Sequence, residues 1–282
     1  MSTPWSKRFR PSFLAALLLV FAPALPAQMG GTANPPPSTG NITNGKDKSP
    51  TNYENTMNMA SPRETDAFKV FVNIPDSNFD KKSKTGEEFI HKYPNSVYLP
   101  QVYSTLSVLY IENRQADKGF ADGENAVALK PDDVGTMANL AQAMARLNNP
   151  SDPDAAQKLQ KAEDYAKKCI QLTPTLPKPA NLSDEQVTAS KNKALAMAHS
   201  ALGLVNVRRG KYAEAIPDLQ EAVHLDEGKD VTNLYLLGVA SQNSSHYSEA
   251  VDAFTKCAAV SGNLQQPCRD GLAEAQKHVG TK

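Results

Sequence analysis

The sequence is short of the parts from which catalytic centres and sheets are made. It holds one Trp, three Cys and five His in 282 residues, and aromatics are 7% of the chain. The histidines (His91, His199, His224, His246, His278) are scattered. There is no H-E-x-x-H, G-x-S-x-G, G-x-G-x-x-G or phosphate-binding loop, so the common metal, acyl-transfer and nucleotide chemistries have no motif here. Ser151, Asp152 and Asp154 lack the Gly and the distant Glu of a calcium loop, and Asp152-Pro153 reads as a helix cap followed by Pro at N1. Basic and acidic residues balance at 30 each, so no charge excess points to nucleic acid or to an anionic membrane surface. Runs of Val, Ile and Thr alternating with period 2 are scarce, which argues against strands. No enzyme, no cofactor and no metal is expected.

What is present begins with an export signature. Lys7, Arg8 and Arg10 precede the apolar run Phe13 to Phe21, which Pro23 ends before small residues. That layout predicts a secretory signal peptide over 1–27 and a periplasmic or secreted protein. The apolar core of about a dozen residues is too short for a ~20-residue membrane span. An uncleaved membrane anchor is the alternative. Residues 28–61 are rich in Gly, Pro, Ser and Asn, with Pro35-Pro36-Pro37 among them. They hold too little apolar surface to offset the entropy of ordering and predict a disordered linker.

Beyond residue 62 the chain repeats. Tyr103, Leu106, Ser107 and Tyr110, then Ala126 and Pro131, recur in register as Met137, Leu140, Ala141 and Met144, then Ala162, Ala166, Cys169 and Pro174. Leu202-Gly203 with Ala215, Leu219 and Ala222 makes a third unit. Leu237-Gly238 with Tyr247, Ala250, Phe254 and Cys257 makes a fourth. This pattern resembles the tetratricopeptide repeat (TPR), a helix–turn–helix of about 34 residues. The expected fold is all-α: a TPR-type α-solenoid of antiparallel helix pairs over 62–282, with a C-terminal capping helix. The expected parts are a degenerate pair 62–96, repeats 100–133, 134–174, 196–229 and 231–264, and a capping helix 266–279. Ser61 with Glu64, and Ser183 with Gln186, read as capping boxes. The helix after Ser183 is expected to run to about Arg208. The Tyr93-Pro94-Asn95-Ser96 entry and the loop Leu176 to Leu182 are similar to those of exported TPR proteins of the acidobacterial type.

The resemblance implies a protein or peptide ligand held in the concave groove of the array. Carried over position by position, the groove residues are Ser104, Val108, Ile111, Ala138, Gln142, Ala145, Ser200, Leu204, Val207, Tyr235, Val239 and Gln242. TPR domains that clamp a terminal carboxylate use Lys, Asn and Arg at such positions. Here the lining is apolar to weakly polar, which implies an apolar or helical partner segment. A groove filled by the chain itself, or by a second copy in a homo-oligomer, is the alternative. Cys257 near the end of one helix and Cys268 in the first turn of the next fall where antiparallel helices bring side chains together, so a disulfide is expected in an oxidising compartment. The other reading is that Cys257, like Cys169, stands in for the repeat's small Ala.

Overall fold

The computed structural model describes residues 60–279. The segment 1–27 and all but the last two residues of 28–61 lie outside them, so the signal peptide and linker are not described. Among the described residues the ordered elements are helices, with no strand. They are α1 (Pro62–Asn73), α2 (Phe79–Lys92), α3 (Leu99–Glu112), α4 (Ala116–Leu129), α5 (Val134–Leu147), α6 (Ala155–Leu172), α7 (Asp184–Arg208), α8 (Tyr212–Leu225), α9 (Val231–Asn243), α10 (Tyr247–Ala258) and α11 (Gln265–Gln276). Successive helices pair α3 with α4, α5 with α6, α7 with α8 and α9 with α10, and α11 packs on α10. The stack is a TPR-type α-solenoid, and α11 caps it. No helix among the described residues is long and apolar enough to cross a membrane.

Local signals set the helix ends. Ser61 accepts from the Glu64 amide while Glu64 reaches back to the Ser61 N–H, closing a capping box. Ser183 and Gln186 repeat the device at α7. α6 starts later than Asp152-Pro153 suggests, at Ala155 after Asp154. The Asp152 carboxylate is drawn instead to Asn149 Nδ2 at 3.0 Å and Lys158 Nζ at 3.6 Å. The turn between paired helices needs one residue in the left-handed region: Arg114 (φ 62°), Gly210 (φ 73°) and Ser245 (φ 63°) hold the same place in three pairs. In the α5–α6 pair the corresponding Asn148 is extended, and the longer loop replaces the turn.

Within each pair, small residues let the helices close. A Cβ on Gly203 would stand 2.5 Å from Leu219 Cγ, and one on Gly238 would stand 2.6 Å from the Phe254 ring. Gly271 of α11 meets that ring at 2.6 Å, so Phe254 is gripped between two glycines. The buried side chains form three clusters. One gathers Phe71, Phe89, Val102, Leu106 and Tyr110; the largest runs from Phe120 to Ala240; the last gathers Leu234, Phe254, Cys257, Cys268 and Ala275.

Gly238→Ala is expected to destabilise the protein by about 1–3 kcal/mol through overpacking. Gly135→Ala, with only Asp133 Oδ1 nearby at 3.5 Å, is expected to be neutral or to stabilise by about 0.5 kcal/mol. Chemical denaturation of the two variants checks the contrast.

A second expectation concerns pH. Burial pushes the Asp122 carboxyl up to about 6, with Glu87 adding to the rise and Lys118 opposing it. In the unfolded chain Asp122 ionises near pH 4. Its cost to folding is therefore absent below about pH 4, grows as pH rises, and is complete above about pH 6. Asp122→Asn is expected to raise stability by about 1 kcal/mol at pH 7.5, after allowing for solvent screening, and to change nothing at pH 4. Thermal melts at the two pH values measure it.

Candidate functional site: the concave face

The residues expected in the groove stand on the first helices of the pairs, α3, α5, α7 and α9, which pack successively on one another, and the structure sorts them into two groups. Val108, Gln142, Tyr235, Val239 and Gln242 are half-buried. Ser200, Leu204 and Val207 are not surface residues: they are 2%, 1% and 6% exposed. Ala138 and Ala145 are fully buried. The reason is that α5 and α7 pack side by side across an alanine-rich seam, with Ala138, Ala141 and Ala145 against Ala194, Ala198 and Ala201 in one core. Leu204 and Val207 belong to that core. Ile111 is half-buried but stands at the α3–α4 crossing, where a Cβ on Gly119 would meet its Cγ1 at 2.6 Å. Tyr235 tilts toward the Phe254 ring, centroids 6.2 Å apart, and its burial pushes the phenol pKa up.

The two serines have a shared task. Ser104 Oγ lies 2.6 Å from Thr136 Oγ1, and Ser200 Oγ donates to Asn233 Oδ1 at 2.6 Å. Each bond joins the first helix of one pair to the first helix of the next, at the same register. The acceptors are held in turn. Thr136 Oγ1 donates to Asp133 Oδ2 at 2.8 Å, and Asn233 Nδ2 donates to Asp226 Oδ2 at 3.1 Å. These hydroxyls hold adjacent pairs together and are engaged within the protein.

Three charged residues that the sequence reading passed over stand on this face. Arg146 of α5 makes an ion pair with Asp230, which caps α9. The pair steps over α7. It joins the last turn of one first helix to the cap of the first helix two pairs on, along the row of first helices where the groove is expected. Burial raises the Asp230 pKa, but the Arg146 charge and hydrogen bonds from Thr232 and Arg146 outweigh it and hold the carboxyl below its usual value. Arg208, at the end of α7, donates from Nη2 to the Arg146 carbonyl at 3.0 Å. Its Nε is buried without a hydrogen-bond partner, and burial pushes the guanidinium pKa down. Among the described residues no carboxylate pairs with Arg208. The signal was readable: Arg146 and Arg208 each follow a groove residue, Gln142 and Leu204, by four positions.

Elsewhere, His199 Nδ1 and Asp218 Oδ1 are 2.9 Å apart, both partly buried, and join α7 to α8. No group of three His, Cys, Asp or Glu among the described residues is placed to hold a metal ion. Cys257 and Cys268 are both fully buried and face each other across the α10–α11 turn with Cα atoms 5.8 Å apart, a separation a disulfide spans. Cys169 is alone; burial pushes its thiol pKa up, and its Sγ lies 3.5 Å from the Val134 carbonyl and 3.7 Å from that of Ala194.

No family model and no curated protein matches the chain. Solved structures are similar in shape. One is that of pilF from Pseudomonas aeruginosa, with TM-score 0.52 and 12% identity, covering 77% of this chain and 92% of that one. Another is the MamA protein, with TM-score 0.50 and 17% identity over 73% of this chain and 96% of that one. A MamA RS-1 double mutant also gives 0.50, at 13% identity over 77% and 98%. At such identities the likeness establishes the helical-solenoid fold alone.

Proposed function

We propose that the chain is a non-enzymatic scaffold that acts outside the cytoplasm and receives a partner polypeptide on its concave face. The observation that carries this reading is the lining at the two ends of that face. Val108 at one end and Tyr235, Val239 and Gln242 at the other are half-buried, apolar or neutral, and presented by rigid helices. Such a surface offers contact area and few titratable groups, which suits an apolar or helical peptide segment. The units 62–96, 100–133, 134–174, 196–229 and 231–264 with the cap 266–279 belong to this reading, as does the narrower likeness to exported acidobacterial-type TPR proteins. Burial of Ser200, Leu204 and Val207 favours a second reading for the middle of the array, where the chain fills its own groove.

Val108→Asp and Val239→Asp each place a charge on the lining, the second at the edge of the α9–α11 core against which Val239 packs. Each is expected to lower recovery of the partner from the protein's own cell envelope about tenfold or more, with helical content unchanged. Recovery equal to wild type rejects the groove. Leu204→Asp is unsuited to the purpose, because a carboxylate at a 1% exposed position disrupts folding first.

Export rests on Lys7, Arg8, Arg10 and the apolar run after them, and on the Cys257–Cys268 pairing geometry. In protein from the oxidising compartment, mass mapping without reduction is expected to find the two cysteines linked and Cys169 as a thiol. Cys268→Ser is then expected to cost about 3 kcal/mol, the loop-closure contribution of so short a loop. Alkylation of Cys257 and Cys268 in unreduced protein rejects the bridge.

A further inference from the structure

The concave face is not uniformly open. The residues four before the α5 and α7 arginines differ: Gln142 is half-buried, while Leu204 is 1% exposed. Over the α7 position, Arg146 reaches past to Asp230 and ties α5 to the start of α9. Side-chain exposures of 24% and 29% put this pair at the edge of solvent, where a competing charge can reach it. Beside it lies Arg208, a half-buried guanidinium that gives one N–H to the Arg146 carbonyl and has a buried Nε with no partner and no carboxylate to offset its partial burial. Other charges nearby are engaged. Glu227 pairs with Lys229 at 2.8 Å, and Asp226 accepts from the Gly228 amide and from Asn233.

We propose that Asp230 stands in for a partner's carboxylate: it latches the concave face shut across α7 by holding Arg146, and the bound polypeptide opens that face by bringing an Asp or Glu side chain that takes Arg146 and gives Arg208 its missing counter-charge. An internal competitor lowers apparent affinity by the fraction of time it occupies the site. Cutting the latch therefore strengthens binding of an acidic segment, the opposite of what loss of a merely structural ion pair would do. The proposal rests on the concave face being the partner site and adds the chemistry of the partner: at least one acidic side chain, placed against the middle of an otherwise apolar contact.

The probe is an end-capped tetra-glutamate peptide, with tetra-glutamine as control, titrated into the full-length protein at low salt. Wild type is expected to bind the glutamate peptide and not the glutamine one. Asp230→Asn is expected to bind it about fivefold to tenfold tighter, and Arg208→Gln about tenfold weaker. Arg209→Gln, next in sequence but paired with Glu163 on the outer surface, is expected to leave affinity unchanged. Spin labels on Asn149→Cys and Lys229→Cys, flanking the latch, are expected to move apart when the peptide binds. Affinity unchanged or weakened by Asp230→Asn overturns the latch, as does binding with no change in label distance. Equal losses in Arg208→Gln and Arg209→Gln, or no binding to wild type or Asp230→Asn, overturn the acidic ligand. The lining variants Val108→Asp and Val239→Asp report separately: if they still lose the envelope partner, the groove reading stands while this proposal falls.

Discussion

Everything in this solenoid depends on how closely paired helices approach at one small residue per crossing. Where Gly203 meets Leu219, and where Gly238 and Gly271 meet Phe254, there is no room for a methyl group. The distance set there fixes the tilt of each pair, and the tilt fixes how the next pair stacks. Hydrogen bonds then pin the stack: Ser104 to Thr136 and Ser200 to Asn233 tie consecutive first helices at matching positions. Buried hydroxyls and amides of this kind contribute modest net energy when satisfied and cost more when orphaned, so they specify register more than they add stability.

Much of this was legible in the sequence because the relevant forces are local. Leu202-Gly203 and Leu237-Gly238 announce crossings, Ser61 and Ser183 announce helix starts through capping boxes, and the scarcity of period-2 patterns leaves helices as the only account of the apolar spacing. The start of α6 was misread because Asp152 had a competing partner in Lys158, which no local rule weighs. The concave face was the least legible part. Position within a repeat says which way Leu204 points, but not how near α5 stands to α7. The alanine seam brings the two helices together, and positions that line an open groove elsewhere become core. Arg146 and Arg208 were overlooked for a related reason: Arg146 matters through a contact with Asp230 that spans 84 residues of chain, and Arg208 through its bond to the Arg146 carbonyl, 62 residues away.

The concave face thus has a graded character. Its ends present half-buried apolar and amide side chains on stiff helices. Its middle is consumed by helix packing and bridged by charge. Such an arrangement separates two demands that a binding surface normally sets against each other. Apolar contact area sits at the ends, where Tyr235 and Val239 also serve the core, and charge sits in the middle, at the edge of solvent.

The division of the core into three clusters carries a consequence for how the molecule comes apart. Phe71 and its neighbours around α1 to α3 share no buried contact set with Phe254 and its neighbours around α9 to α11; the long middle cluster from Phe120 to Ala240 lies between. Such a chain behaves like linked beads, each end able to fray while the centre keeps its shape. The α1–α2 end is joined to the rest largely through α3, so it is the end that loosens at least cost to the remainder. The middle bead, where α7 packs on α5, α6 and α8 at once, is the last to let go.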